Sequence, residues 1–225
     1  SKDHNMMVPI MEAIGTLNAH GLEVVSGIIL GLDTDRPETG RHLLDFIDRS
    51  QIPLLTINLL QALPKTPLWE RLQREGRLVE DDARDSNVAF RLPYEQVIAT
   101  WRACMAGAYE PARLFARYEH QVRHTYIHRI KLPVSRVRLS WSSVKLGLTL
   151  LRNIFWQVGV RGDYRRAFWR FALRRLARGE IEHLISVCLV AHHLILFARA
   201  ASLGRANASY YSRKLQEPVR QMAAG

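Results

Sequence analysis

Residues 21–40, GLEVVSGIILGLDTDRPETG, set the tightest limit on what this chain can fold into. Val24 to Leu30 is almost continuously apolar and β-rich; Gly31 then breaks the run, and the acidic Asp33 and Asp35 follow. An amphipathic helix would space its apolar residues every three or four positions. A short unbroken run that stops at glycine reads instead as a strand, Leu22–Leu30, covered on both faces. Upstream, Met7, Ile10, Met11, Ile14 and Leu17 fall at helical spacing over 6–19, and Gly21 ends that helix. Downstream, Pro37 and Glu38 open a helix that carries Leu43, Leu44, Phe46 and Ile47 to about Ser50. IPLLTINLLQ, residues 52–61, is a second buried strand, followed by a loop with two prolines and a short helix. Helix–strand–helix–strand–helix over 6–75 predicts parallel strands with right-handed crossovers. Two strands make neither a stable open sheet nor a closed barrel, so this piece is expected to need neighbours outside the chain.

Beyond the acidic stretch EDDARDSN, residues 80–87, strand signals fade. Helices are predicted near 94–109, 111–127, 142–159, 163–178, 181–203 and 208–222. The expected class is therefore α/β followed by all-α, divided as 1–79, a linker over 80–92 and a basic helical region over 93–225. Charge follows the same division. Residues 1–95 hold 10 Lys/Arg and 15 Asp/Glu, whereas 96–225 hold 22 and 6, so the second part is expected to face phosphate in headgroups or nucleic acid. Cys104 and Cys188 are isolated, which excludes a disulfide scaffold and a self-contained zinc or iron–sulfur site. The start SKDHN has neither an initiator Met nor an apolar signal region and reads as cut from a longer chain. Residues 181–200 are the nearest thing to a span. They carry three histidines and a charge-free stretch of only His183–Ala198, and read as a buried or interfacial helix.

Several residues could carry chemistry. Gly27-x-Ile29-x-Gly31 at a strand end would let a flat ring approach the backbone with an apolar side chain on its face, or would simply cap a strand. Asn58 is a polar residue in an apolar strand, and Leu63-Pro64-Lys65-Thr66-Pro67-Leu68 is a stiff exit loop. Asp33 and Asp35 read as a solvated loop at the mouth of such a site. His120, His124 and His128 recur at helical spacing without a carboxylate or cysteine to complete a metal site. Arg166, Arg170, Arg174 and Arg178 form one positive stripe beside Tyr164, Phe168, Ala172 and Leu176, with Arg165 and Arg175 interrupting the apolar side. Such a helix suits a membrane surface or a solvated arginine face; nucleic acid is disfavoured because no binding motif accompanies the charge.

Taken in order, GLEVVSGIILGLDTDRPET, FIDRSQIP and LLQALPKTPLWERLQREGRL resemble the last third of a radical S-adenosylmethionine barrel, closest to the cobalamin-binding subfamily. Within it, TINLLQALPKTPLWERL is most similar to hopanoid 2-methyltransferases, and residues 86–117 are similar to the helical extension of such enzymes. The resemblance implies a C-terminal part of a partial (β/α) barrel with a helical domain. It implies that Gly27, Ile29 and Gly31 line an adenine site, that backbone near Ala62 and Leu63 bonds the adenine edge, and that Asn58 and Gln61 point to cofactor or substrate. The cofactors it implies are S-adenosylmethionine, a four-iron–four-sulfur cluster and cobalamin, the last two held outside this chain, because the family's CxxxCxxC is absent here. The implied partners are the N-terminal remainder of the parent and a hydrophobic lipid substrate, in a cytoplasmic protein peripheral to the inner face of the membrane. The chain alone is expected to be inactive. The other reading, from its charge, is a basic helical module that docks on a membrane or partner without catalysis.

Overall fold

The computed structural model describes residues 9–81, 83–130 and 141–204, and the helix expected over 208–222 lies outside them. Its elements are α1 (Ile10–Ala19), β1 (Val25–Leu30), α2 (Thr39–Ser50), β2 (Leu54–Leu59), α3 (Pro67–Arg74), α4 (Tyr94–Ala108) and α5 (Pro111–His124). A 3-10 turn (Tyr126–His128) follows, then α6 (Trp141–Ile154), a π-helical turn (Phe155–Val160), α7 (Arg165–Ala177) and α8 (Ile181–Ser202). The protein is mostly helical with a small parallel sheet, in keeping with α/β plus helical. Its described residues fall into two compact units.

The first comprises residues 26–46, 55–81, 83–108 and 197–204. Here β1 and β2 pair in parallel, and the ladder continues just past β2, where Leu60 N–H donates to O of Leu30, the last residue of β1, at 2.8 Å. Alternation along β2 buries Leu55, Ile57 and Leu59 on one face. Helix α4 carries Val97, Ile98, Trp101, Cys104, Met105 and Ala108 as its buried stripe. It is pinned to the sheet by Trp101, whose indole N–H donates to Ile57 O at 2.8 Å. Gly40 of α2 lets α4 come close, since a Cβ there would lie 2.7 Å from Thr100 Cγ2. The Cys104 thiol is buried in this contact, and burial pushes its pKa up to about 11, which makes it an inert core group.

The other face of the sheet corrects an expectation. Strand β1 was expected to be covered on both sides, but Gly27 and Ile29 are exposed, as is Thr56 beside them on β2. With two strands and helices on one side, nothing among the described residues covers that face. The 80–92 stretch differs from expectation too. Leu78 and Val88 form an antiparallel bridge, Val79 N–H donates to Asn87 O, and Ala89 N–H donates to Arg77 O. Fully buried Val88 joins Leu60, Ala62 and Leu72 in one apolar cluster, with Leu68, Trp69, Leu78 and Phe90 around it. Two apolar anchors outweigh the acids between them, and the chain folds back as a strap.

The second unit comprises residues 9–25, 47–54, 109–130 and 141–196. Helix α5 buries Leu114, Phe115, Tyr118 and Val122, and Phe115 meets Phe171 of α7 with ring centroids 5.5 Å apart. The arginine expected to spoil the apolar side of α7 is instead buried: Arg175 is fully enclosed and donates to Glu119 at 2.9 Å and to Glu180 at 2.6 Å. Glu119 also meets Arg123 at 2.7 Å and Arg174 at 3.7 Å. Leu184, Val187, Cys188, Ala191 and Ile195 form the buried stripe of α8, whose length and composition alone would suffice to cross a membrane. Substituting one partner of a buried pair strands the other charge. Glu119→Gln should therefore lower unfolding free energy by about 3 kcal/mol, whereas exposed Arg166→Gln should change it by less than about 0.5 kcal/mol; urea unfolding checks both.

Candidate functional site

Parallel strands end with backbone groups that no further strand satisfies, and the ends of β1 and β2 show where those groups go. Gly31 leaves β1 with φ +92°, and the Asp35 carboxylate accepts from Gly31 N–H at 2.7 Å and Leu32 N–H at 3.1 Å. That φ suits glycine, and a Cβ there would lie 2.5 Å from a carbon of the Phe90 ring. A flat ring does approach this glycine, and it is the chain's own.

At the end of β2 the strap makes a matching set of polar contacts. Ala62 N–H donates to Asn87 Oδ1 at 2.9 Å, and Asn87 Nδ2 donates to Ala62 O at 2.8 Å. Gln61 Nε2 donates to Asp85 O at 2.7 Å, while its Oε1 accepts from Asn87 N–H at 3.3 Å. Ser86 Oγ donates to Leu60 O at 2.6 Å and accepts from Val88 N–H. A carboxamide offering one acceptor and one donor to a single residue uses the pattern a nucleobase edge would use. The expectation that Ala62 bonds a base edge and that Gln61 points to a ligand thus meets groups already engaged by residues 85–87. Nothing in the composition of 80–92 marked this role; the one signal was the short alternation Ser86-Asn87-Val88-Ala89-Phe90, which brings apolar anchors to alternate positions.

What stays open is a ledge. Ile29 and Leu63 expose 49% and 45% of their surface, Asn58 is half-buried, and a Cβ on Gly27 would meet only Thr56 Oγ1, at 3.5 Å. Gly27 and Ile29 of β1 and Thr56 and Asn58 of β2 share one sheet face by alternation. That face offers apolar surface with one amide and room above the glycine, and Leu63 is exposed in the loop beyond β2.

Asp33 and Asp35, read from sequence as a solvated loop, are both structural. Asp33 meets Arg77 at 2.7 Å, Arg71 at 3.0 Å and Arg91 at 3.6 Å. The hydrogen bond from Arg77 holds its carboxyl below the ordinary 3.8 against the opposing effect of burial, and the charges of Arg77, Arg71 and Arg91 add to it. Arg77 also donates to Ala89 O at 2.9 Å, so this ion cluster ties the β1 exit loop to the strap.

The remaining candidates lie in the second unit. Arg166, Arg170, Arg174 and Arg178 are all exposed on α7, and a cleft of about 290 Å³ between α5 and α7 is lined by Arg170, Arg174, Glu119, Phe115 and Phe171. His120 and His124 stack with ring centroids 4.4 Å apart, while His128 sits exposed in the 3-10 turn. Among the described residues no three of His, Cys, Asp and Glu converge as a metal site.

A family profile described as "Domain of unknown function (DUF4070)" matches residues 66–207. The chain belongs to the DUF4070 family. It is 63% identical over 216 residues to "Hopanoid C-2 methylase" of Rhodopseudomonas palustris strain TIE-1, covering 96% of this chain and 41% of that protein. To an uncharacterized methyltransferase of Synechocystis it is 25% identical over 236 residues, covering 98% of this chain and 42% of the relative. The chain thus spans about two fifths of the length of these relatives. No solved structure matches it. The DUF4070 match starts at Thr66, whose hydroxyl caps α3, and takes in Arg71, Arg77 and the whole strap; Gly27 to Leu63 precede it.

Two outcomes follow. Gly31→Ala should cost about 3 kcal/mol through its positive φ and the Phe90 clash, whereas Gly27→Ala should cost less than about 1 kcal/mol, as read from chemical denaturation. Because the Asp33 pKa is depressed, the stability it confers is present above 3.8 and is lost as pH falls through the lower folded value. Asp33→Asn should therefore reduce the urea midpoint at pH 7, and its deficit against the unsubstituted chain should shrink as the pH is taken below that range.

Proposed function

We propose that this chain forms the last βα units and the appended helical region of a radical S-adenosylmethionine methyltransferase of the cobalamin-binding type, acting on a polycyclic lipid such as a hopanoid. The observation that carries this is the 63% identity, over 96% of the chain, to a protein named Hopanoid C-2 methylase. The open sheet face supports it: Gly27, Ile29 and Thr56 lie exposed on strands that, in a barrel, would face an interior filled by cofactor and neighbouring side chains. The N-terminal remainder of the parent would then pair along the free edge of the sheet.

The cluster and cobalamin, held by residues outside this chain, would supply the electron that cleaves S-adenosylmethionine and the methyl group that is transferred. This chain's own part is binding. Gly27 leaves room for the plane of the adenine, Ile29 and Leu63 flank it with apolar surface, and Asn58 offers the amide. Gly31 and Ala62 act one step back, as the seats of Phe90 and Asn87. A lipid substrate accords with a cytoplasmic enzyme at the inner face of the membrane, where its substrate is dissolved.

A second reading rests on α7. Its four exposed arginines would let the helical region dock on an anionic surface with no catalysis of its own.

The test is made on the complete protein that contains this chain, purified without oxygen. An iron–sulfur absorbance is expected, together with binding of S-adenosylmethionine that weakens at least about tenfold in Gly27→Val. Absence of the absorbance, or binding indifferent to Gly27→Val, would overturn the methyltransferase reading and leave docking.

A further inference from the structure

We infer that α6 and the π-helical turn after it form a docking surface for anionic phospholipid, separate from the arginine stripe of α7 and independent of which reaction the parent performs. At 3.6 residues per turn, Trp141, Lys145, Leu148 and Arg152 fall within an arc of about 60° on one face of α6. Trp141 is 83% exposed, Leu148 62% and, at the other end of the segment, Trp156 52%. Two clefts, of about 440 and 630 Å³, run along this face and share Arg152; one reaches Trp141 and Leu148, the other Trp156 and Val160.

The opposite side of the segment is firmly held. Ile154 and Val158 are buried, Phe155 stacks on Trp169 at 5.5 Å, and Trp169 donates its indole N–H to Gly159 O at 2.9 Å. The π turn therefore keeps Phe155 inward while Trp156 stands outward beside Arg161, whose guanidinium lies 5.4 Å from its ring. Tryptophans at both ends, leucine between them and cations at the rim suit the headgroup boundary of a bilayer, where an indole is half in lipid and half in water.

Charge selects the partner. From Trp141 to Gly162 the sequence contains Lys145, Arg152 and Arg161 and no Asp or Glu. Cations beside exposed apolar surface match anionic lipid better than a neutral protein groove. Helix α7 fits less well, because Arg174 lies 3.7 Å from Glu119 and its tryptophan, Trp169, is engaged with Phe155 and Gly159 O rather than exposed.

The test uses the full chain and vesicles of phosphatidylcholine, alone or mixed with phosphatidylglycerol. Co-sedimentation is expected with the mixed vesicles only and should weaken as salt is raised. Trp141→Ser with Trp156→Ser should reduce it at least about tenfold, as should Lys145→Glu with Arg152→Glu. Arg170→Glu with Arg174→Glu should reduce it less than about threefold. Brominated lipid should quench tryptophan fluorescence in the unsubstituted chain and not in the double serine variant. Circular dichroism confirms that each variant is folded. Loss in the α7 variant equal to that in the α6 variants overturns the proposal. So does an absence of vesicle binding, whether the chain takes up nucleic acid instead or self-associates through Trp141 and Trp156.

Discussion

The ends of two parallel strands leave backbone donors and acceptors that must be satisfied, and in this protein three side chains, Asp35, Ser86 and Asn87, do that work. Asn87 gives an acceptor to Ala62 N–H and a donor to Ala62 O, while its own backbone N–H reaches Gln61. Once those bonds are made, Val88 is carried into the cluster with Leu60 and Leu72, and Phe90 onto Gly31. Unpaired buried amides would cost more than the strap loses in chain entropy, so the polar contacts and the apolar ones reinforce each other. The ion cluster at Asp33 then tethers the strap to the β1 exit loop from the other side, through Arg77.

In the second unit the comparable constraint is a buried charge. Arg175 is enclosed beside Phe171, and its enclosure is tolerable only because Glu119 and Glu180 both reach it. Glu119 in turn gathers Arg123 and Arg174, so that one carboxylate coordinates side chains of α5 and α7. This explains why the imperfect amphipathicity of α7 does not weaken its packing. It also takes one arginine of the exposed stripe partly out of play for any external anion.

Most of the secondary structure was legible in the sequence because apolar spacing alone specifies it. The buried stripe of α4, from Val97 through Trp101 to Ala108, falls where the periodicity puts it, and Gly21 ends α1 as its position foretold. What periodicity does not carry is partnership across the chain. Asp33 looked like a solvated loop residue because its three arginines lie 38 to 58 positions away, and Arg175 looked like a flaw because Glu119 lies 56 positions away. Asn87 sat in a stretch whose acids suggested a linker, and only its hydrogen bonds reveal the alternation around it as a strand-like strap. The exit ends of the two strands were legible in the sequence, but the contacts made there were not.

The seat at Gly31 and Ala62 and the ledge at Gly27, Ile29 and Leu63 bear differently on ligand binding. A site whose backbone hydrogen bonds are already made does not need a ligand to be stable, and that stability lets the neighbouring ledge stay open. Exposed Ile29 and Leu63 are costly in water and gain from being covered, whereas Ala62 gains nothing by exchanging Asn87 for another partner of the same hydrogen-bonding pattern. An apolar, planar ligand would therefore gain most on Gly27 and its neighbours, as the proposed function has it. On these terms a planar ligand there would be held by surface rather than by edge pairing, with the strap's own hydrogen bonds left intact.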